Sequence, residues 1–544
     1  MEAMFPTLTP PQLARIKAHG RVRRAEAGEV LVDVGEQHPP FLVVVAGRLQ
    51  VVRPGAAAED VVTEHVPGGF TGEVNMLSGR PGLVRIRAVE LSDLIEMTRE
   101  EMLALVQTDS ELSEILMRAF ILRRAELIAH GYGDVVFLGS NHCAATLRVK
   151  EFLTRNGHPY TYIDLDRERG VQELLDRFHV TDRDVPVLIC RGNAVLRNPT
   201  NQEIAECLGF NAGIDRTHVR DLVIVGAGPS GLASAVYAAS EGLDVLVLES
   251  NAPGGQAGSS SRIENYLGFP TGITGQELAA RAYTQAQKFG AQLVIAQDAR
   301  RLACERRPYA IELENGPRVP ARAVIIATGA EYRKLALANL SRFEGAGVYY
   351  GATFLEAQLC DGEDVAVVGG GNSAGQAAVF MARTARRVVM LVRGSGLADT
   401  MSRYLIRRIE DNPAIELITQ TEVVQLHGTT HLERIEWKHN QTGATGRADI
   451  RHLFLMTGAA PSTAWLQRCV AMDDKGFIKT GTDLTADDLV AARWPLSRPP
   501  HLLETSLPGV FAVGDVRCGN VKRVASAVGE GSIAVSFVHR VLNE

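Results

Sequence analysis

Between Phe5 and about His130, short apolar runs alternate with turn residues, after a helical start and before two amphipathic stretches around Glu100 to Ala129. Gly28-Glu29, Gly35-Glu36, Val43-Val-Val-Ala-Gly47 and Gly72-Glu73 fall where the turns of a small β-barrel would lie. From Asp134 to about Asn211 the pattern becomes strand Val135-Val-Phe-Leu138, helix around Leu147 to Thr154, strand Tyr160-Thr-Tyr-Ile-Asp164, helix around Gln172 to Phe178, and a third strand opening at Asp184-Val-Pro186. The polar stretch Phe210 to His218 reads as a link. Beyond it, two apolar runs, Leu222-Val-Ile-Val225 and Val365-Ala-Val-Val368, each end at a glycine cluster that opens a helical stretch of small residues. A second pair repeats: Val324-Ile-Ile-Ala-Thr-Gly-Ala330 is echoed by Leu453-Phe-Leu-Met-Thr-Gly-Ala459. Such segments carry a chain out of one unit and back into it, so the second unit is expected to be inserted in the first. Gly509-Val-Phe-Ala-Val-Gly-Asp515 gives a last buried strand, followed by a helix from about Val521 to Leu542.

The glycine clusters are Gly226-Ala-Gly228-Pro-Ser230-Gly231 and Gly369-Gly-Gly371-Asn372-Ser373-Ala374. Their strand, turn, helix context is that of dinucleotide binding, in which glycines let backbone N–H groups approach a pyrophosphate at a helix N-terminus. About twenty residues after the first, Val245-Leu-Val-Leu-Glu249 ends in a carboxylate suited to a ribose hydroxyl. After the second, Val388-Val-Met-Leu-Val392 ends in Arg393, a cation where a 2′-phosphate would need one. FAD at the first and NADP at the second is the reading, with NADH as the other possible coenzyme. The expected fold class is therefore multidomain α+β and α/β: a β-barrel with helices over 1–130, a small α/β unit over 134–211, and two nested Rossmann-type domains. The FAD-binding one comprises 219–331 and 456–544, and the NAD(P)-binding one 332–455.

Gly254-Gly255-Gln256, Ile263-Glu-Asn265, Ala327-Thr328-Gly329, Gly514-Asp515 and Lys522-Arg523-Val524-Ala525 occur in this order. With the two fingerprints they make the stretch from about Arg220 to Glu544 resemble the low-molecular-weight thioredoxin reductases. The resemblance implies that Gln256, Asn265, Asp515 and the backbone of Arg523, Val524 and Ala525 hold the flavin, with Asp515 on the ribityl chain. A helix N-terminus near the pyrimidine end of the ring would stabilise an anionic reduced flavin. The family's Cys-x-x-Cys stretch reads Gly351-Ala352-Thr353-Phe354 here, so both thiols are gone. Cys360, a few residues on, reads as a buried structural thiol.

The first segment resembles a cyclic-nucleotide-binding domain. Gly72 and Glu73 match the pair that takes the ribose, but Gly82 or Leu83 stands where the phosphate-binding arginine belongs, and Arg80 is out of register. Loss of that charge-assisted bidentate contact favours a structural barrel, with a cyclic nucleotide or other small ligand at Gly72 and Glu73 as the alternative. The 134–211 segment resembles thioredoxin and glutaredoxin domains, in which the proline equivalent to Pro186 is cis. Its first helix begins Cys143-Ala144-Ala145-Thr146, which keeps the attacking cysteine and loses the resolving one. A thiol at a helix N-terminus is expected to be a competent nucleophile; the alternative is a domain kept for packing. Cys190 and Cys207 read as core residues.

With 544 residues and a net charge of −6, the chain suggests three or four domains and carries no nucleic-acid footprint. No apolar run approaches the length of a membrane span, and the start lacks a signal-peptide pattern. Seven cysteines without a close pair are taken to indicate no disulfide framework, a reducing compartment and a cytoplasmic protein. No metal site is expected. Together these features predict a thioredoxin-reductase-like flavoenzyme in which NADPH reduces FAD and electrons pass on to a disulfide. Cys143, Cys518 or an outside thioredoxin-like protein would supply the thiol relay. A ferredoxin, flavodoxin, quinone or oxygen as acceptor, or a non-catalytic ligand- or redox-sensing flavoprotein, are the alternatives. A homodimer is the family expectation.

Overall fold

The computed structural model of the chain describes residues 3–54, 59–130, 135–141, 143–166, 184–190, 194–211, 213–314, 316, 318–466 and 469–544. The helix expected around Gln172 to Phe178 lies outside them. At the N-terminus, two antiparallel sheets face each other. One orders Arg21–Ala25, Ser92–Met97 and Phe41–Ala46; the other orders Val30–Val32, Arg85–Ala88, Leu49–Pro54 and Glu59–His65. Phe41, Phe70 and Phe120 bury their rings in one cluster beneath the helices Arg99–Thr108 and Ser110–Ala129. Each helix starts at a side-chain cap: Thr98 accepts from Glu101 N and Asp109 from Leu112 N.

Next comes a four-stranded sheet in the order Ala194–Arg197, Val187–Cys190, Val135–Gly139, Thr161–Asp164. Val135–Gly139 and Thr161–Asp164 are parallel, which requires a crossover, and the helix Ala144–Arg155 provides it. The Val185–Pro186 bond is cis. Phe210, expected in a polar link, is buried instead, stacked on Phe152 at 6.0 Å.

The remainder contains two parallel-rich sheets. The first is seven-stranded: Gln292–Ile295, Val245–Glu249, Arg220–Val225, Arg318–Ile326, Tyr309–Leu313 and Ala299–Ala303, with Val510–Ala512 beside Arg318–Ile326. The second is parallel throughout, in the order Val348–Tyr349, His452–Leu455, Asp364–Val368, Arg387–Val392, Ile415–Thr419. Their strands are near-continuous apolar runs because both faces are covered, one by helices and the other by antiparallel strands and loop segments. Ala330–Tyr332 pairs antiparallel with Ala459–Pro461, so the outgoing and returning connections cross side by side, as the repeated Thr-Gly-Ala segments predict.

Arg80 ties three of these units together. It is 5% exposed; its guanidinium lies 4.2 Å from the Phe210 ring centroid, and it donates to Tyr283 Oη at 3.0 Å and Asn156 O at 3.4 Å. Replacing Arg80 with alanine should remove about 1–3 kcal/mol of hydrogen-bond and cation–π energy. Limited proteolysis should then release the N-terminal unit at protease concentrations that leave the wild type intact. Equal resistance of the two proteins would show that Arg80 does not clamp the units.

Candidate functional site

The first fingerprint is shaped by close backbone approach. Gly226 has φ +104°, and a side chain there would meet Ala327 O at 2.3 Å. A Cβ on Gly231 would lie 1.9 Å from Gly226 O, so only glycine lets the helix Pro229–Ser240 sit this close to its strand. Gly228 differs: its Cβ would find nothing nearer than Gly255 Cα at 4.0 Å. The two facing glycines thus leave a cradle bounded by the start of the helix, where backbone N–H groups are available to an anion. This fits the pyrophosphate of a dinucleotide.

Glu249 is buried at the end of its strand; its carboxylate accepts from Ala227 N at 2.7 Å and Asn251 N at 2.9 Å. Burial pushes its pKa up, and these amides and Arg155 oppose the shift. The side chain is thereby fixed beside the fingerprint loop, with its remaining lone pairs for a ribose hydroxyl. Ser230 is buried below the loop, where a Cβ on Gly514 would approach its Oγ to 2.6 Å. Thr328 donates to Ser462 O at 2.8 Å, Gly329 turns at φ +67°, and the Gln256 amide donates to Ala330 O. Asn265 stands exposed. The Asp515 carboxyl is mostly buried, which raises its pKa against the pull of Lys522. Arg523 precedes the 19-residue helix Val524–Leu542, whose first turn carries no side-chain cap, so the N–H groups around Val524 and Ala525 are free for an acceptor.

Two supports had no signal in residue spacing. Glu530, one and a half turns into that helix, accepts from Gly514 N at 2.7 Å and from Arg517 at 2.7 Å, holding the Asp515 turn. Arg155, from the helix Ala144–Arg155, donates to Gly255 O at 2.7 Å.

The second fingerprint repeats the geometry. Gly369 has φ +143° with a hypothetical Cβ 2.4 Å from Met456 O, whereas a Cβ on Gly371 meets only Thr400 O at 4.0 Å. Asn372 accepts from Ser402 N at 2.8 Å, Ser373 is hydrogen-bonded to Tyr332, and Ala374 is buried. Arg393 is 82% exposed, with Glu422 4.0 Å away, so its guanidinium is open to a phosphate but shares its surroundings with a carboxylate.

The segment Gly351 to Phe354 has become a helix start: Thr353 accepts from Leu355 N at 3.2 Å, and Glu356 accepts from Thr353 N at 2.8 Å. Burial raises the Glu356 pKa. A Cβ on Gly351 would lie 3.8 Å from Ser259 Cβ, in the loop after Gln256. Cys360 is buried and its thiol pushed up by burial, as a structural thiol should be. Cys518 does not suit the relay role expected of it. Burial, then a hydrogen bond to Asp473, raises its pKa and opposes the thiolate that exchange requires. Cys143 is half-exposed at the N-cap of Ala144–Arg155. The absence of a disulfide is also corrected: Cys304 and Cys469 are bonded, 165 residues apart.

In the N-terminal unit, Gly72 turns at φ +99° and its carbonyl accepts from Arg123 at 2.9 Å. Glu73 lies 3.6 Å from Arg124 of the long helix. Arg80 points to the unit boundary described above, leaving no arginine of this loop beside Glu73 for a phosphate. Among the described residues no helix is long and apolar enough to cross a membrane, and no group of three or more potential metal ligands occurs.

Residues 220–531 match the family model for pyridine nucleotide-disulphide oxidoreductases, and residues 22–109 match that for cyclic nucleotide-binding domains. The thioredoxin reductase of Mycolicibacterium smegmatis is 32% identical over 60% of this chain and 97% of its own length. The bifunctional thioredoxin reductase/thioredoxin of Mycobacterium leprae is 30% identical over 60% of this chain and 66% of its own. Among solved structures, Lactococcus lactis thioredoxin reductase superposes with a TM-score of 0.53 at 26% identity, covering 60% of this chain and 99% of that one.

Two glycines of one loop should respond oppositely to alanine. Gly228→Ala should leave stability within about 0.5 kcal/mol of wild type, because its Cβ meets no protein atom, yet lose FAD affinity by at least roughly tenfold. Gly231→Ala should cost about 1–3 kcal/mol from overpacking. Thermal melts and the flavin-to-protein absorbance ratio separate the two; full flavin retention by Gly228→Ala would refute the cradle. Arg393→Ala should reduce the preference for NADPH over NADH in flavin reduction by roughly tenfold, the scale of one charge-assisted contact. An unchanged ratio in stopped-flow would remove Arg393 from the coenzyme site.

Proposed function

Because the chain belongs to the pyridine nucleotide-disulphide oxidoreductase family through residues 220–531, we propose that it is a thioredoxin-reductase-like NAD(P)H oxidoreductase with a thiol relay on a thioredoxin-type unit of the same chain. The family uses FAD and NADPH. Bound at the two fingerprints, they supply two-electron chemistry from the nicotinamide to the flavin and on to an acceptor. The chain's part is to hold them. The cradle at Gly228 and Gly255 takes the FAD pyrophosphate, Glu249 the ribose and Asp515 the ribityl chain, while Gly371 and Arg393 receive NADPH.

The observation that carries the relay is the seat of the helix Ala144–Arg155. A Cβ on Gly345 would lie 2.6 Å from Ala144 Cβ, next to Cys143, and Leu147 packs on the cluster that includes Tyr349 and Ala352. At its other end Arg155 holds the flavin loop at Gly255. This 12-residue helix, roughly 18 Å long, therefore bridges the flavin loop and the stretch leading into Gly351 to Phe354, where the family's cysteine pair is missing. The sheet order supports a thioredoxin-type unit over 134–211. Cys143 would attack an acceptor disulfide, bonding to one sulfur and releasing the other as a thiolate. With Thr146 in the second position, no resolving thiol follows, so the two electrons that a reduced flavin would supply, with two protons from solvent, would have to cleave the mixed disulfide, returning Cys143 as a thiolate and the acceptor as a dithiol. A thioredoxin-like protein is the proposed partner, within a homodimer of this chain. The N-terminal unit, without its phosphate-binding arginine, acts as a packed structural domain, and cyclic nucleotide binding at Gly72 and Glu73 is the lesser reading.

A second reading, direct transfer to a non-thiol acceptor, is favoured by the capping box at Thr353 and the raised pKa of Cys518. Cys143→Ser separates the two. Thioredoxin or insulin reduction should fall at least roughly tenfold, the attacking thiolate being lost, while NADPH-dependent ferricyanide reduction stays at the wild-type rate. Undiminished disulfide turnover would sink the relay and leave the second reading.

A further inference from the structure

The Cys304–Cys469 disulfide occupies a distinctive place in the chain path. Cys304 follows the edge strand Ala299–Ala303 in the first half of the flavin unit; Cys469 follows the short turn Ala464–Leu466 in its second half. The whole second sheet, Val348–Tyr349 through His452–Leu455, lies between them in sequence. The bond therefore closes a discontinuous domain across its insertion. Beside it, the halves meet through strand pairing of Arg318–Ile326 with Val510–Ala512 and of Ala330–Tyr332 with Ala459–Pro461, helix packing and side-chain contacts.

The segment carrying Cys469 has little regular structure, yet it backs the flavin site on both sides. Upstream, Ser462 O accepts from Thr328 and Ser462 N donates to Gly329 O at 3.2 Å. Downstream, Lys479 N donates to Ala471 O at 3.0 Å and Ile478 N to Val516 O at 3.0 Å, beside Asp515. Asp473 takes the Cys518 thiol, and Cys518 N donates to Ile478 O at 2.8 Å. Leu466, Val470 and Ile478 bury their side chains in the sheet's core cluster, whereas both sulfur-bearing residues are only partly buried at its margin. A bond at the partly buried margin of the cluster is open to attack by a thiol from solution.

We propose that Cys304–Cys469 is a reversible redox staple through which the surrounding thiol poise controls how firmly the flavin unit holds its cofactor. Two equivalents of a low-molecular-weight thiol, or one dithiol, break the bond. The S–S bond of the staple is reduced to two thiols by two electrons and two protons, and the reductant leaves as its disulfide. Opening a loop of 165 residues returns conformational freedom to the unfolded chain and loosens the segment behind Asp515, so the oxidised form is the tighter binder of FAD. The proposal does not involve Cys143 and stands or falls independently of the relay.

The test uses the full-length holoprotein purified in air, with dithiothreitol as the reductant. Peptide mass spectrometry after alkylation under denaturing conditions should find Cys304 and Cys469 linked, and both alkylated only after dithiothreitol. Reductant should lower the apparent Tm by roughly 5–10 °C and speed FAD release by roughly tenfold. A Cys304→Ala, Cys469→Ala double variant should already have the lower Tm and faster release, and be indifferent to dithiothreitol. If that variant fails to fold, comparison of the wild type with and without reductant still decides. Cysteines that alkylate without reductant would overturn the staple, and so would a linked pair whose reduction changes neither Tm nor FAD release.

Discussion

The flavin unit depends on one strand, Arg318–Ile326, finding partners from two distant parts of the chain. Arg220–Val225 lies parallel to it on one side and Val510–Ala512 on the other, with Val324, Ile325 and Ile326 in register with Val510, Phe511 and Ala512. Everything inserted between them must return at the right place, and the antiparallel pair Ala330–Tyr332 and Ala459–Pro461 provides that return. Closing so long a loop is entropically costly, and only the burial of both sheets' apolar strands and helices offsets it. The covalent bond between Cys304 and Cys469 spans the same gap.

Within this frame, the cofactor sites follow from where side chains are absent. Gly226 and Gly231 are demanded by the protein's own backbone, whereas Gly228 and Gly371 leave room that the protein does not fill. The charged groups around the rooms are held by short backbone contacts: Glu249 by Ala227 and Asn251, the Asp515 turn by Glu530. Such fixed groups cost little reorganisation when a dinucleotide enters. The same reasoning separates the two ends of the second fingerprint, where Gly371 caps its helix and Arg393 stands in solvent near Glu422.

The redox cysteines of the resembling family have been replaced by a helix cap, and the chemistry left in the chain is redistributed. Cys360 is sealed in the core, Cys518 is turned to Asp473, and Cys143 alone presents a thiol at the start of a helix. That helix is seated against Gly345, ahead of the second fingerprint, and against Gly255, which faces the first, so it is packed into the parallel-sheet units rather than strung beside them. Arg80, out of register for a phosphate in the sequence, serves the same packing from the N-terminal unit.

Features coded over a few residues were legible in the sequence. The two glycine turns, the strands that precede them, the Thr-Gly-Ala connections and the last helix from Val524 all depend on local φ, apolar periodicity and capping, which neighbouring residues express directly. The reading of Phe210 as part of a link, of Cys518 as a relay thiol and of the cysteines as unpaired each concerned a residue whose partner is remote: Phe152, Asp473 and, for Cys304, Cys469. A side chain's burial, its charge state and the atom it meets are set by elements that approach only after folding. Spacing along the chain can propose a glycine turn, but only the packed tertiary structure decides which polar group faces which.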